Sequence, residues 1–211
     1  LIWREYSMRL FNDAAEGRRA DTPGDFARVV ESVRGNARAL RSRLGLAPEE
    51  AEVAQVDARF LRQLRGVYEA YFNAREALTA DDLDAAQEAA AEAQAALGRV
   101  DMTRVTGPDH MAWMEASRSL REILDTLTAA GTIEQARSAF ALYSEAMTAL
   151  AGRFGSPTGD ALYEIQCPMA FNNRGAIWLQ RDSEVKNPYY GDIMLRCGTV
   201  RQVFAAPKPD A

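Results

Sequence analysis

Over roughly the first three quarters of the chain, apolar residues return every three or four positions, the spacing that lines one face of an α-helix. Trp3, Tyr6, Leu10 and Ala14 predict a helix over residues 3–15, which Gly17 weakens and Thr22-Pro23-Gly24 breaks. A second should run from about residue 25 to 44 with Phe26, Val29, Val30, Val33, Leu40 and Leu44 on one face, closed by Gly45 and Pro48. The clearest stripe is Phe60, Leu61, Leu64, Val67, Tyr68, Tyr71, Phe72 and Leu78, predicting a helix over residues 57–78. After Thr79 and Asp82, an alanine-rich helix turns Leu83, Ala86, Ala90, Ala93 and Leu97 inward and ends near Gly98. Asp109 is placed to cap a helix whose buried face is Trp113, Met114, Leu120, Ile123, Leu124 and Leu127. Thr132 with Gln135 has the capping-box spacing, each side chain able to satisfy a free backbone amide of the first turn. The helix that follows carries Ile133, Ala136, Phe140, Tyr143, Met147 and Leu150 and stops at Gly155-Ser156-Pro157.

Beyond Pro157 the pattern changes. Alanine thins out, and residues 163–167 and 199–204 alternate apolar and polar side chains as short strands do, with residues 177–179 a weaker third. Asn172-Asn173, Asn187-Pro188 and Gly191-Asp192 mark turns between them. The expected fold is therefore mainly α: an up-down four-helix bundle over residues 57–155, preceded by a helical extension or hairpin over 1–56. A small module of short strands and loops over 156–211 should pack on the bundle and end in a solvated tail from about 205.

Composition narrows the function. The chain has 211 residues and a net charge of −5, with no basic stripe of the kind that neutralises phosphates, which argues against a nucleic-acid partner. No segment holds the about 18 to 20 continuous apolar residues that span a bilayer. The sequence opens at Leu1 rather than methionine, so a processed or trimmed product is expected, from which any signal peptide or membrane anchor has been lost. Trp3 and Tyr6 suit a membrane interface, but the first turn of a soluble helix explains them better.

Enzyme machinery is hard to find. His110 is the one histidine, which excludes a multi-histidine zinc site, and neither a phosphate-binding glycine loop nor a Gly-x-Ser-x-Gly elbow is present. A Cys–His pair between His110 and Cys167 or Cys197 is formally available, yet no other residue marks an active site. The reading is non-enzymatic.

The two cysteines are the informative feature. Cys167-Pro168-Met169 and Met194-Leu195-Arg196-Cys197 each put a methionine within three residues of a thiol. Thiolate and thioether sulfur select soft ions such as Cu(I) or Ag(I) over hard cations. Cys167, Met169, Met194 and Cys197 are thus candidate ligands, with Gly198 allowing the second segment close approach. The competing reading is a Cys167–Cys197 disulfide, closing a loop of about thirty residues and stabilising by roughly 3 to 4 kcal/mol, with both methionines as core filler. Asn187-Pro188-Tyr189-Tyr190-Gly191-Asp192 reads as cover for the module's own core before it reads as a docking knob, and Trp178 reads as core. His110 beside Met111 and Met114 offers one nitrogen and two sulfurs; a polar residue at a helix start is the simpler account of it.

Cys167-Pro168-Met169-Ala170-Phe171, Gly175-Ala176-Ile177-Trp178-Leu179, Asn187 to Asp192 and Met194-Leu195-Arg196-Cys197-Gly198 occur in that order. Upstream stand Val67-Tyr68 opening a helix, Leu78 to Asp84 at a turn, and Gln135-Ala136-Arg137 with Phe140 and Ser144. Over about residues 60–204 the chain resembles an uncharacterised bacterial envelope domain family. Its members stand alone or follow periplasmic adaptor subunits of copper/silver-type efflux pumps. The resemblance implies a periplasmic or membrane-associated location, protein partners in an envelope complex, and handling of a soft metal. The lipoyl-like and β-barrel parts of a complete adaptor are absent from the sequence.

Overall fold

In the computed structural model the chain divides by backbone contacts after Glu50, and the structure describes residues 56–205, within the compact unit Ala51–Ala211. The helices expected over 3–15 and 25–44 lie outside the described residues.

Four long helices dominate: α1 (Ala58–Thr79), α2 (Leu83–Gly98), α3 (Gly107–Thr128) and α4 (Ile133–Phe154). A three-residue helical turn, Met102–Arg104, stands between α2 and α3. Their apolar faces merge into one core, in which Phe60, Leu64, Tyr68, Tyr71, Trp113, Leu120, Phe140 and Met147 are buried. The alanines of α2 fill their expected role, since Ala86, Ala90 and Ala93 are buried with no side-chain bulk to hold a neighbour away. None of the described helices is long and apolar enough to cross a membrane.

The helix starts follow from side-chain chemistry. Asp57 accepts from the amides of Arg59 and Phe60, and Asp82 accepts from Ala85. At α4 the capping box is modified. Thr132 accepts from the Gln135 amide at 3.3 Å, but Gln135 Oε1 takes the Gly131 N–H at 2.8 Å, one residue further out. Thr132→Ala should cost about 1 kcal/mol, the usual loss for a deleted N-cap, in urea denaturation; an unchanged midpoint would show that Gln135 alone secures the turn.

One start was misplaced. α3 begins at Gly107 with Thr106 as N-cap and no capping side chain, because Pro108 has no amide proton to satisfy and suits the first turn. Asp109 instead accepts from Arg153 Nε at 2.7 Å. The face that α3 buries runs Trp113, Ser117, Leu120, Leu124 and Leu127, and Met114, expected on that face, is 41 % exposed. Val67 and Tyr68, expected to open a helix, lie in the middle of α1.

The C-terminal part is a three-stranded antiparallel sheet in the order β2-β1-β3: β1 (Leu162–Cys167), β2 (Ala176–Gln180) and β3 (Thr199–Phe204). Ile165 faces Trp178 on one side and Val200 on the other, and a bulge follows at Glu164/Ile165. The β1–β2 connection turns through Phe171, Asn172 and Asn173, all at positive φ, a conformation that asparagine tolerates better than most residues. Trp178 is fully buried, as expected.

Candidate functional site

β1 ends at Cys167, and the chain enters β3 through Cys197 and Gly198. Pairing of Gln166 with Thr199 lays these segments side by side, and the sulfurs meet at 3.2 Å. Both are free thiols; Cys167 is buried and Cys197 half-buried. Disulfide sulfurs stand about 2.05 Å apart, whereas two sulfurs bound at ~2.3 Å to one ion stand roughly 3.8 Å apart in tetrahedral geometry and about 4.6 Å apart in linear geometry. The observed separation falls between, so a small rotation of either side chain leads to a bond or to an ion. The Cys197 thiol is pushed above its ordinary range by its hydrogen bond with Cys167 and then by burial. At neutral pH it carries its proton, which a metal must displace.

The Asn187–Asp192 segment braces both sulfur loops. Asn187 is fully buried; its Nδ2 donates to Cys197 O at 2.7 Å, its amide donates to Leu195 O at 2.7 Å, and its Oδ1 accepts from the Tyr189 amide. A turn closes with Cys197 N–H donating to Met194 O at 3.0 Å. On the other side, the Tyr190 hydroxyl donates to Met169 O at 2.6 Å, and burial followed by the two nearby thiols raises its pKa. Tyr189 packs edge-on against Phe171 and Trp178 and reaches Phe140 on α4. This segment therefore covers the module's core, the role anticipated for it.

Structure thus brings Cys167 and Cys197 into contact and leaves the two methionines flanking them. Met194 is half-buried at the start of the turn that ends in Cys197. Met169, two residues past Cys167, is 46 % exposed, which removes the core-filler account for that residue. Among the described residues no group of three or more His, Cys, Asp or Glu side chains could hold a metal ion. An ion at the thiol pair would therefore complete its shell from methionine, solvent or a partner. His110 is engaged elsewhere: its Nδ1 lies 3.1 Å from Met102 O, and the residue sits inside α3 rather than at the helix cap expected.

Three contacts that hold the module to the helices were not visible in the sequence. Arg137 on α4 donates from Nε to Pro188 O at 2.9 Å and from Nη2 to Leu78 O at 3.1 Å, and it pairs with Asp81 at the α1–α2 turn. Gly191 packs against that same Asp81, where any Cβ would collide with the carboxylate. Tyr71 on α1 takes the Leu179 amide of β2 at 2.9 Å while sharing a hydrogen bond with Ser144 Oγ.

These features define a mainly helical domain carrying a small sheet and a close dithiol. Residues 67–159 match the model of a domain family described as "Protein of unknown function (DUF3347)". That stretch runs from the middle of α1 to the start of the module and stops before Cys167, so the four sulfur-region motifs lie beyond it. No curated protein and no solved structure matches the chain.

Proposed function

We propose that the protein is a non-enzymatic accessory domain that binds a soft metal ion, Cu(I) or Ag(I), through Cys167 and Cys197, with Met169 and Met194 as supplementary ligands. The four helices, in up-down order, serve as the rigid support of the sulfur site. The observation that carries this reading is the meeting of two sequence-distant free thiols, one of them two residues from the exposed Met169. An envelope location and an efflux partner that receives or supplies the ion complete the reading; the sulfur-region motifs support them by resemblance alone.

Anaerobic Cu(I) titration against a chelating competitor tests it, run beside a free-thiol count. Two free thiols are expected, with one tightly held equivalent, the last the competitor removes, that disappears in Cys197→Ser and is held about tenfold more weakly in Met169→Leu, equivalent to about 1.4 kcal/mol. Apparent affinity should rise with pH through the thiol range, because the raised Cys197 pKa keeps a proton in competition with the ion. Pre-reduced protein that binds no better than Cys197→Ser would overturn the reading.

A second reading draws on the separation itself. At 3.2 Å the sulfurs are closer than any common ion would hold them. Loss of two electrons and two protons to a disulfide oxidant would join them into a staple, leaving a docking domain for an envelope complex. Protein isolated without free thiols, and inert to Cu(I) even after reduction, would select this reading.

A further inference from the structure

We propose a second soft-metal site, built from His110 with the thioethers of Met102, Met111 and Met114, at the opposite extreme of chemistry from the thiol pair: it has no group that oxidant can turn into a disulfide. The site is separate from Cys167 and Cys197 and does not depend on them.

The imidazole is set up as a ligand. Its Nδ1 lies 3.1 Å from Met102 O, and since a carbonyl only accepts, Nδ1 carries the proton in this contact. That leaves the Nε2 lone pair for another partner. A backbone carbonyl holding the far ring nitrogen is the arrangement that fixes tautomer and orientation in histidine metal ligands. The ring is held between two anchored elements. The Met102–Arg104 turn is capped by Asp101, which accepts from the Thr103 amide, and the first turn of α3 is tied to α4 by Asp109 and Arg153.

Three methionines lie within eight residues of that ring along the chain. His110 and Met114 are one helical turn apart on α3, and Met111 and Met114 are three residues apart, so Met114 neighbours both the histidine and Met111 on the helix surface. The backbone of Met102, in the preceding turn, is brought to the ring by the same hydrogen bond that orients it. None of the three works as core: Met102, Met111 and Met114 are 44 %, 68 % and 41 % exposed. A single exposed apolar residue needs no explanation. Three exposed unbranched thioethers within eight residues of the chain's one histidine are a ligand set of the type that selects Cu(I) and Ag(I), with imidazole compatible and no carboxylate required. The nearest carboxylate in sequence, Asp109, is already engaged by Arg153.

The two sites would divide by redox state. Loss of two electrons and two protons from the thiols to a disulfide oxidant joins them and closes the first site; thioethers take no part in that exchange, so the second keeps its capacity.

Ag(I), which binds as Cu(I) does without redox cycling, is the probe. The protein labelled with ¹³C-methyl methionine is titrated after its thiols have been oxidised to the disulfide, and in the Cys167→Ser/Cys197→Ser variant. Methyl shifts at Met102, Met111 and Met114 that saturate at one equivalent, with at least tenfold weaker binding in His110→Gln and in Met111→Leu, are the expected result. Met111→Leu alters only an exposed side chain, so its effect cannot come from misfolding. Shifts confined to Met169 and Met194, or binding unchanged in both variants, would overturn the proposal. Loss of the first site alone, in thiol-directed variants, leaves this outcome untouched.

Discussion

Replacing Gly198 by valine should destabilise the protein by about 4 kcal/mol, the sum of roughly 1–3 kcal/mol for overpacking and a similar cost for backbone strain. A Cβ at this position would stand 2.8 Å from Ile165 Cγ2, 2.8 Å from Trp178 Cη2 and 3.2 Å from Val185 Cγ1. Ile165 and Trp178 are fully buried and face each other across β1 and β2, so neither can retreat. The residue also holds a φ of +157°, outside what a β-branched side chain accepts. Gly198→Ala should cost about half as much, since it adds the collision without the branched side chain. Because Cys197 is the preceding residue, the same displacement should pull the sulfurs apart. Reduced Gly198→Ala should therefore form the disulfide more slowly than the parent. Urea midpoints and the rate of thiol loss are the measurements. A valine variant within 1 kcal/mol of the parent would mean that β3 has slack, and that close approach at Gly198 does not define the thiol geometry.

Legibility in the sequence followed the physics of burial. A helix that hides one face leaves a 3.6-residue stripe, so α1, α2 and α4 could be placed from Phe60 to Leu150 within a residue or two. β3 and most of β1 were readable from alternation, and β2 from a bare three-residue run. α3 shows the limit. Met114 was put on the buried face, yet the buried set steps 113, 117, 120, 124 and 127, and residue 114 lies about 100° off that line. The start was missed for a related reason: Asp109 looked like a cap, but its partner Arg153 lies 44 residues away. Of the candidate site, the thiol pairing could be suspected from two Cys/Met clusters, while the brace could not. Asn187 reads as a turn residue; only the fold reveals that its side-chain amide and its backbone N–H hold the Cys197 turn while its Oδ1 takes the Tyr189 amide. Arg137 reads as one charge on a solvated helix, and its guanidinium in fact joins carbonyls 51 and 59 residues away. Long-range polar contacts leave no period in a sequence, and this module is held by them.

Tyr71→Phe should show how much depends on such a contact, with an expected loss of about 2–3 kcal/mol for one oxygen atom. The Tyr71 hydroxyl is buried between α1, α4 and the outer edge of β2. It accepts the Leu179 amide proton at 2.9 Å, so its own proton is directed to Ser144 Oγ at 2.8 Å. Burial pushes its pKa up to about 12, against the lowering effect of those two hydrogen bonds, and the phenol stays neutral at any physiological pH. Without that oxygen the Leu179 N–H stays buried on a strand edge whose partner β1 lies on the opposite side, and Ser144 loses its partner as well. An unsatisfied buried donor bears its full desolvation cost, which is why the loss exceeds that of an average hydrogen bond. Ser144→Ala leaves the Leu179 amide paired and deprives only the Tyr71 hydroxyl proton of its acceptor, so it should cost less, about 1–2 kcal/mol. The double variant should lose less than the two singles added together, because both remove the same bond. Hydrogen exchange separates this account from a general loss of packing: the Leu179 amide should exchange faster in Tyr71→Phe and keep its protection in Ser144→Ala. Equal protection in both variants would mean that the strand edge is satisfied by water. The consequence for the site is direct, since β2 is the strand through which β1 and its Cys167 rest on the helices. A looser β2 should expose the buried thiol, so Cys167 should react faster with a thiol reagent in Tyr71→Phe, whereas Cys197, already half-exposed, should change little.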